Sequence, residues 1–333
     1  MKPRFTALTI ALLACAISSA GQDQDKALDK LIRAFEVQRD VKATLIQERR
    51  SLTHKITVKI QIVPGRGIRT SVLEPALKSG IVSFDDGVSY RVYDPREKLV
   101  TVEQSPMAYK FDLNERRALI KKNYEVKLGD TAQLAGRDVQ VVNLKALKSG
   151  VFDRSVYIDQ ESDLILKYVV ERRGQEKTSL IETIVVKMTA SADSQFSTVG
   201  PPGTKVVKST APIEVEKIQD TFKYLSFRPA VPDSLPSGFE LQAKHIVRFK
   251  DTNFLALRLT DGMSFVTVYL YPSTKKGERG ERVPLKESEI PLKGQMLTEA
   301  RDGVRCWVVG DVDDVLKERL AKVFIGAYSR TIE

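Results

Sequence analysis

Ile56-Thr57-Val58-Lys59-Ile60-Gln61-Ile62 alternates apolar and polar residues without a break. A period of two is the signature of a β-strand with one face toward a core and the other toward water. Ile56, Val58, Ile60 and Ile62 therefore project to one side and must be covered, by the protein's own side chains or by a bound hydrophobic molecule. Just upstream, Leu28, Leu31, Ile32 and Phe35 recur at spacings of three and four between Asp25 and Asp40. That is an amphipathic helix capped by Asp25, and it is one candidate cover.

Downstream the period of two returns at short intervals. Strands are expected at 68–73, 80–84, 88–93, 99–102, 139–144, 155–158, 164–171 and 180–188, with turn chemistry at Gly65 to Gly67, Asp85-Asp86-Gly87 and Asp94-Pro95-Arg96. Asp112 to Asn123 has helix formers and few β-branched residues, so a short helix packed across or beside this sheet is expected. The pattern lapses from Ser191 to Pro236, where Gly200-Pro201-Pro202-Gly203 and four further prolines read as a linker and an irregular lead-in. Strands resume at 241–249, 254–259, 264–271 and 304–309, with Asp261-Gly262 as a hairpin signal. Val312, Val315, Leu316, Leu320, Val323, Phe324 and Ala327 then form the stripe of a terminal helix.

The expected fold class is α+β: a curved antiparallel half-barrel with helices, then a smaller α+β domain. A length of 333 residues suits two domains. The boundaries read as 1–20 for an export signal, 21–195 for the first domain, 196–234 for the linker and 235–333 for the second domain. In residues 1–20, Lys2 and Arg4 precede an uncharged apolar run from Ala7 to Ile17, with small residues at Ser18-Ser19-Ala20 for cleavage. Leu12-Leu13-Ala14-Cys15 offers a competing lipoprotein-processing site. The apolar run is shorter than the roughly 20 apolar residues a membrane-spanning helix needs, and no later segment reaches that length. Cys15 lies in the signal, so Cys306 is left without a disulfide partner in a mature chain.

Without Lys2 and Arg4, 51 basic residues face 43 acidic ones, a net charge of +8. In an exported protein such charge suits anionic lipid headgroups, acidic polysaccharide or an acidic protein surface rather than nucleic acid. The basic loop Lys275, Lys276, Arg279 and Arg282 is the candidate partner- or anion-binding segment. Catalytic and metal constellations fail: His54 and His245 lie far apart with no HExxH spacing, and neither GxxxxGK[ST] nor GxSxG occurs. Asp311, Asp313 and Asp314 directly precede a helix and read as caps rather than a calcium loop. Cys306, beside Trp307 and Val308, reads as a core thiol. No enzyme activity and no cofactor are expected.

Leu134-Ala135-Gly136-Arg137-Asp138-Val139, then Val156-Tyr157-Ile158-Asp159 and Leu164-Ile165-Leu166-Lys167, resemble the lipoprotein-carrier (LolA/LolB-type) domain. Leu235-Pro236-Ser237-Gly238-Phe239-Glu240-Leu241, Thr260-Asp261-Gly262 with Phe265-Val266-Thr267-Val268, and Val308-Val309-Gly310-Asp311 resemble the C-terminal domain of the RseB/MucB family. The resemblance implies a non-enzymatic periplasmic regulator. Such a protein binds the periplasmic region of a membrane anti-sigma factor and releases it when lipid or lipopolysaccharide-like ligand occupies it. The rival is a periplasmic lipid or lipoprotein carrier of the LolA type, for which the first domain would suffice.

Overall fold

The computed structural model describes residues 23–50, 55–106, 111–171, 177–190, 196–197, 199–249, 252–276, 282–284, 298–301 and 303–330. They form two compact units that are not contiguous in sequence. Unit one takes the described residues up to 106, then Tyr124–Ala146 and Asp153–Val207; unit two takes 111–123, Leu147–Phe152 and the described residues from Lys208 onward.

Unit one opens with α1 (residues 23–37), whose stripe Ala27, Leu28, Leu31 and Ala34 is fully buried. Six strands follow as an antiparallel meander: β1 (Ala43–Arg50), β2 (Lys55–Val63), β3 (Gly67–Glu74), β4 (Val82–Asp85), β5 (Ser89–Asp94) and β6 (Leu99–Gln104). The chain re-enters as β7 (Tyr124–Leu134), β8 (Arg137–Ala146), β9 (Asp153–Asp159), β10 (Ile165–Glu171) and β11 (Thr178–Lys187), again antiparallel. Between β7 and β8, Ala135 and Gly136 both have positive φ, 52° and 75°, as a two-residue primed hairpin turn requires. Strand β11 pairs with β1, and β12 (Lys205–Lys208) flanks β6. The order is β12-β6-β5-β4-β3-β2-β1-β11-β10-β9-β8-β7, so this curved sheet stays open and its two wings meet at β1 and β11.

The register decides what shares a face with the alternating strand. Leu45 lies between Ile60 and Val186, Gln47 between Val58 and Thr183, and Arg49 between Ile56 and Ile181. On the other face Phe84 is covered by Phe196, the rings meeting edge to face at 5.5 Å. Arg69 Nη1 donates to the Phe196 carbonyl at 3.1 Å. The stretch expected as a linker is thus fastened at its start by Phe196 and β12, and further on by Val215 and Phe227, which are buried in the core of unit two.

Unit two contains β13 (Ile213–Glu214), β14 (Glu240–Phe249), β15 (Thr252–Thr260), β16 (Phe265–Pro272), the hairpin β17 (Thr274–Lys276) and β18 (Arg282–Pro284), then β19 (Thr298–Arg301) and β20 (Val304–Gly310). Its main sheet runs β13-β14-β15-β16-β20-β19. Leu255, Leu257, Val268, Leu270 and Cys306 turn one face of it into a common core with Leu316, Leu320, Ala321 and Phe324 of α3 (Asp314–Arg330). Asp313 caps that helix, its Oδ1 accepting from the Leu316 amide at 2.7 Å.

One expectation needs correcting. Helix α2 (Leu113–Asn123), which the sequence placed across or beside the first sheet, belongs to unit two. Arg116 Nε donates to the Gly262 carbonyl at 2.9 Å, and Asn123 Nδ2 donates to the carbonyls of Gly238 and Asp261, both at 3.1 Å. Asp261 Oδ1 accepts from the Met263 and Ser264 amides and shapes the turn for this contact. At Gly262, with φ 100°, a Cβ would come within 2.7 Å of Ile120. The weak amphipathic pattern of Leu113–Asn123 says that it is a helix but not which sheet it serves.

Asn123 is buried, so Asn123→Ala strands two carbonyls and removes about 2 kcal/mol from unit two. Trp307, the one tryptophan of the sequence, lies in that unit and reports it. Urea unfolding followed by its fluorescence should show a lowered midpoint; an unchanged midpoint would contradict this role for α2.

Candidate functional site

The four residues of the alternating strand do not share one environment. Val58, Ile60 and Ile62 are at most 4% exposed and pack in one cluster with Ala43, Leu45, Val139, Leu164 and Leu166. Ile56 is only half-buried, at the edge of that cluster. The helix stripe of α1 is buried but is not part of it. Most of this face is therefore filled by side chains of the sheet itself, and Ile56 is one of several half-buried residues at its margin, with Ile68, Val72 and Val186.

An arginine stands beside Ile56. Arg49, the cross-strand neighbour of Ile56 and Ile181, donates from Nε and Nη2 to Gln47 Oε1, both at 3.2 Å. Gln47 passes the interaction on, its Nε2 donating to the buried Thr183 hydroxyl at 3.1 Å. Burial pushes the Arg49 guanidinium below its usual range, and the Tyr90 phenol of β5 opposes that shift. From sequence, Arg49-Arg50 reads as one of several scattered basic pairs on solvated faces, because Gln47-Glu48-Arg49-Arg50 shows no alternation of polarity.

Helix α1 ties the wings of the sheet together. Lys30 Nζ and Arg33 Nε donate to the two carboxylate oxygens of Asp163, at 2.5 and 2.7 Å, in the turn between β9 and β10. Beyond the helix, Arg39 Nη2 donates to the Asp85 carbonyl at the end of β4 at 3.2 Å. Asp163 is itself placed by Asp159, whose carboxylate receives two hydrogen bonds from Arg137, at 2.6 and 2.9 Å, and one from the Ser162 amide at 2.8 Å. Burial works against ionisation of Asp163, but the bonds from Lys30 and Arg33 outweigh it and hold the carboxyl below its ordinary range.

The basic loop is described only in part. Lys275 and Lys276 lie on β17 and Arg282 on β18, with Lys276 opposite Arg282. Nothing is described of these three side chains, and Arg279 lies outside the described residues, as does His54. His245 is buried on β14, and burial lowers its pKa. Among the described residues no group of acids, histidines or cysteines has the geometry to hold a metal ion, and no helix is long and apolar enough to cross a membrane.

With this geometry the chain can be set beside known proteins. A family model described as the MucB/RseB N-terminal domain matches residues 79–201, which take in β4 through β11 and α2. The fold of MucB extends over nearly the whole chain. Its crystal structure matches with a TM-score of 0.58 at 17% identity, covering 90% of this chain and 97% of that one. The family match is thus to the part of the chain within residues 79–201, and the likeness beyond it is to the fold of MucB. The Pseudomonas aeruginosa MucA/MucB complex gives a TM-score of 0.60 at 16% identity, covering 89% of this chain and 97% of that one. MucB in complex with MucA(peri) gives 0.57 at 17% identity with the same coverage. At these identities the likeness to the solved structures is one of fold, and no curated protein matches in sequence. The segments that carried the sequence resemblance are largely structural: Arg137 and Asp159 place the Asp163 turn, while Gly238, Asp261 and Gly262 seat α2.

Replacing Asp163 by Asn leaves Lys30 and Arg33 without a counter-charge and should cost about 2 kcal/mol. Hydrogen exchange of residues 26–37 should accelerate; unchanged protection would contradict the latch. Because the folded-state pKa of Asp163 is depressed, its contribution is present above the unfolded value of about 3.9 and fades as pH falls through the lower folded value. The wild-type helix should therefore lose protection below about pH 4, and the Asn variant should lack that acid step.

Proposed function

We propose that this protein is a non-enzymatic regulator of the bacterial envelope. It binds the periplasmic region of a membrane anti-sigma factor and lets it go when lipid or lipoprotein occupies the sheet of unit one. The observation that carries the reading is the match, over nine-tenths of the chain, to a fold seen holding MucA. The signal-like start supports a periplasmic location, and a net charge of +8 after its removal suits an acidic partner or an anionic lipid. Lys275, Lys276, Arg279 and Arg282 are the proposed contacts for that acidic partner. Ile56, with Val58, Ile60 and Ile62 behind it, is the proposed hydrophobic site.

A carrier of the LolA type is the second reading, favoured by the latched helix beside an apolar sheet face. A carrier leaves unit two without a task. The interleaving of the units, with α2 and Leu147–Phe152 in unit two, argues instead that both serve one function.

Calorimetric titration of residues 21–333 with a synthetic periplasmic segment of the anti-sigma factor encoded in the same genome tests the choice. One-to-one binding at about 1 μM or tighter is expected. It should weaken several-fold as ionic strength rises through about 0.1 to 0.5 M, because charge guides the encounter. Absence of saturable binding, with a single-chain lipid still bound, would favour the carrier.

A further inference from the structure

Strand β12 is Lys205-Val206-Val207-Lys208, and all four of its residues are exposed. Val206 is 56% and Val207 40% exposed, so the strand gains little from side-chain burial and is held by its backbone bonds to β6. It is nonetheless set in position. Pro201-Pro202-Gly203-Thr204 turns the chain into it, with Gly203 at φ 78° and the Thr204 amide and hydroxyl both donating to the Pro201 carbonyl, at 3.3 and 2.6 Å. Upstream of that turn Phe196 is seated on Phe84. As the last strand of the twelve-stranded order, β12 presents an unpaired backbone edge among the described residues. The opposite edge, β7, is blunted by a bulge between Leu128 and Thr131.

We propose that the β12 edge takes an extended segment of another protein, two apolar residues flanked by acids, as an added strand. Added strands bind through main-chain hydrogen bonds, and the side chains opposite one another in the pair decide which strand is accepted. Lys-Val-Val-Lys reads the same in both directions. A second copy of β12 laid antiparallel on the first would set Lys205 against Lys208 at each end, like charge against like, so self-pairing is disfavoured. An acid-apolar-apolar-acid segment meets lysine with carboxylate and valine with an apolar side chain, whichever way it runs. Both lysines are available for this: among the described residues neither forms an ion pair, whereas Lys30, Lys55, Lys122 and Lys167 each do. The surface does not use the basic loop of unit two, and it stands whether or not the partner is an anti-sigma factor.

Three labelled octapeptides test this by fluorescence anisotropy with residues 21–333. Ser-Thr-Glu-Val-Val-Glu-Thr-Ser carries the pattern, Ser-Thr-Val-Glu-Glu-Val-Thr-Ser has the same composition with the pattern inverted, and Ser-Thr-Lys-Val-Val-Lys-Thr-Ser reverses the charge. The first should saturate with a Kd of about 100 μM or tighter. It should bind at least about tenfold more tightly than the lysine peptide and several-fold more tightly than the inverted one. Hydrogen exchange of residues 205–208 should slow when it is bound. Lys205→Glu combined with Lys208→Glu alters only exposed side chains and should reverse the preference in favour of the lysine peptide.

Equal binding of the first two peptides would reduce the effect to the attraction of a basic protein for acid and overturn the strand assignment. A preference for the acidic peptide that persists in the double variant, or slowed exchange elsewhere with 205–208 unchanged, would place the peptide on another surface. Binding of none of the three would overturn the docking edge. A wild-type dimer in sedimentation that Val206→Asp with Val207→Asp turns into a monomer would make a second copy the occupant.

Discussion

Asp163 sits in a turn with a left-handed backbone, its carboxylate mostly withdrawn from water and shared between Lys30 and Arg33. On that contact depends the position of α1, and on α1 depends the relation between the two wings of the first sheet. The wings are joined along a single seam, β1 with β11. A sheet open at both ends has no strand pairing to fix how far it curls, so a helix bonded to the β9–β10 turn, and followed directly by Arg39 bonded to the end of β4, is the natural restraint. Arg137 and Asp159 stiffen the turn in which Asp163 stands, which makes the latch a chain of charged hydrogen bonds rather than one surface ion pair.

The second constraint is chain connectivity. Leaving the first sheet after β6, the chain contributes α2 to unit two before returning as β7, and leaves again for Leu147–Phe152. Asn123 and Arg116 show that the insertion is bonded into its host, not merely adjacent to it. Cutting the chain near residue 200 would therefore not yield two complete domains.

The sequence made the α+β class, the strand at Ile56 to Ile62, the helix from Leu28 and the capping role of Asp313 legible, because in each a strong period or a cap has one structural solution. It did not disclose β1 or β7. In β1, Gln47 and Arg49 occupy positions on the apolar face, and only cross-strand partners 136 residues away, such as Thr183 for Gln47, make them acceptable there. In β7, Lys127, Gly129, Asp130 and Gln133 suit an edge strand, where the polar alternation fades. The host of α2 depended on buried bonds to carbonyls at 238, 261 and 262, which no local pattern signals. Arg49 was hidden for the same reason as β1.

What remains for function is whether the two proposed occupants compete. The account holds that lipid in the first unit and the anti-sigma segment cannot be bound together, since release on lipid binding is what would make the protein a sensor rather than a passive shield. Native mass spectrometry of residues 21–333 mixed with the periplasmic segment and oleoyl lysophosphatidic acid, each near its own half-saturating concentration, reads all species at once. The account predicts peptide-bound and lipid-bound protein with the ternary species well below the product of the two occupancies; a ternary species at that product would contradict it.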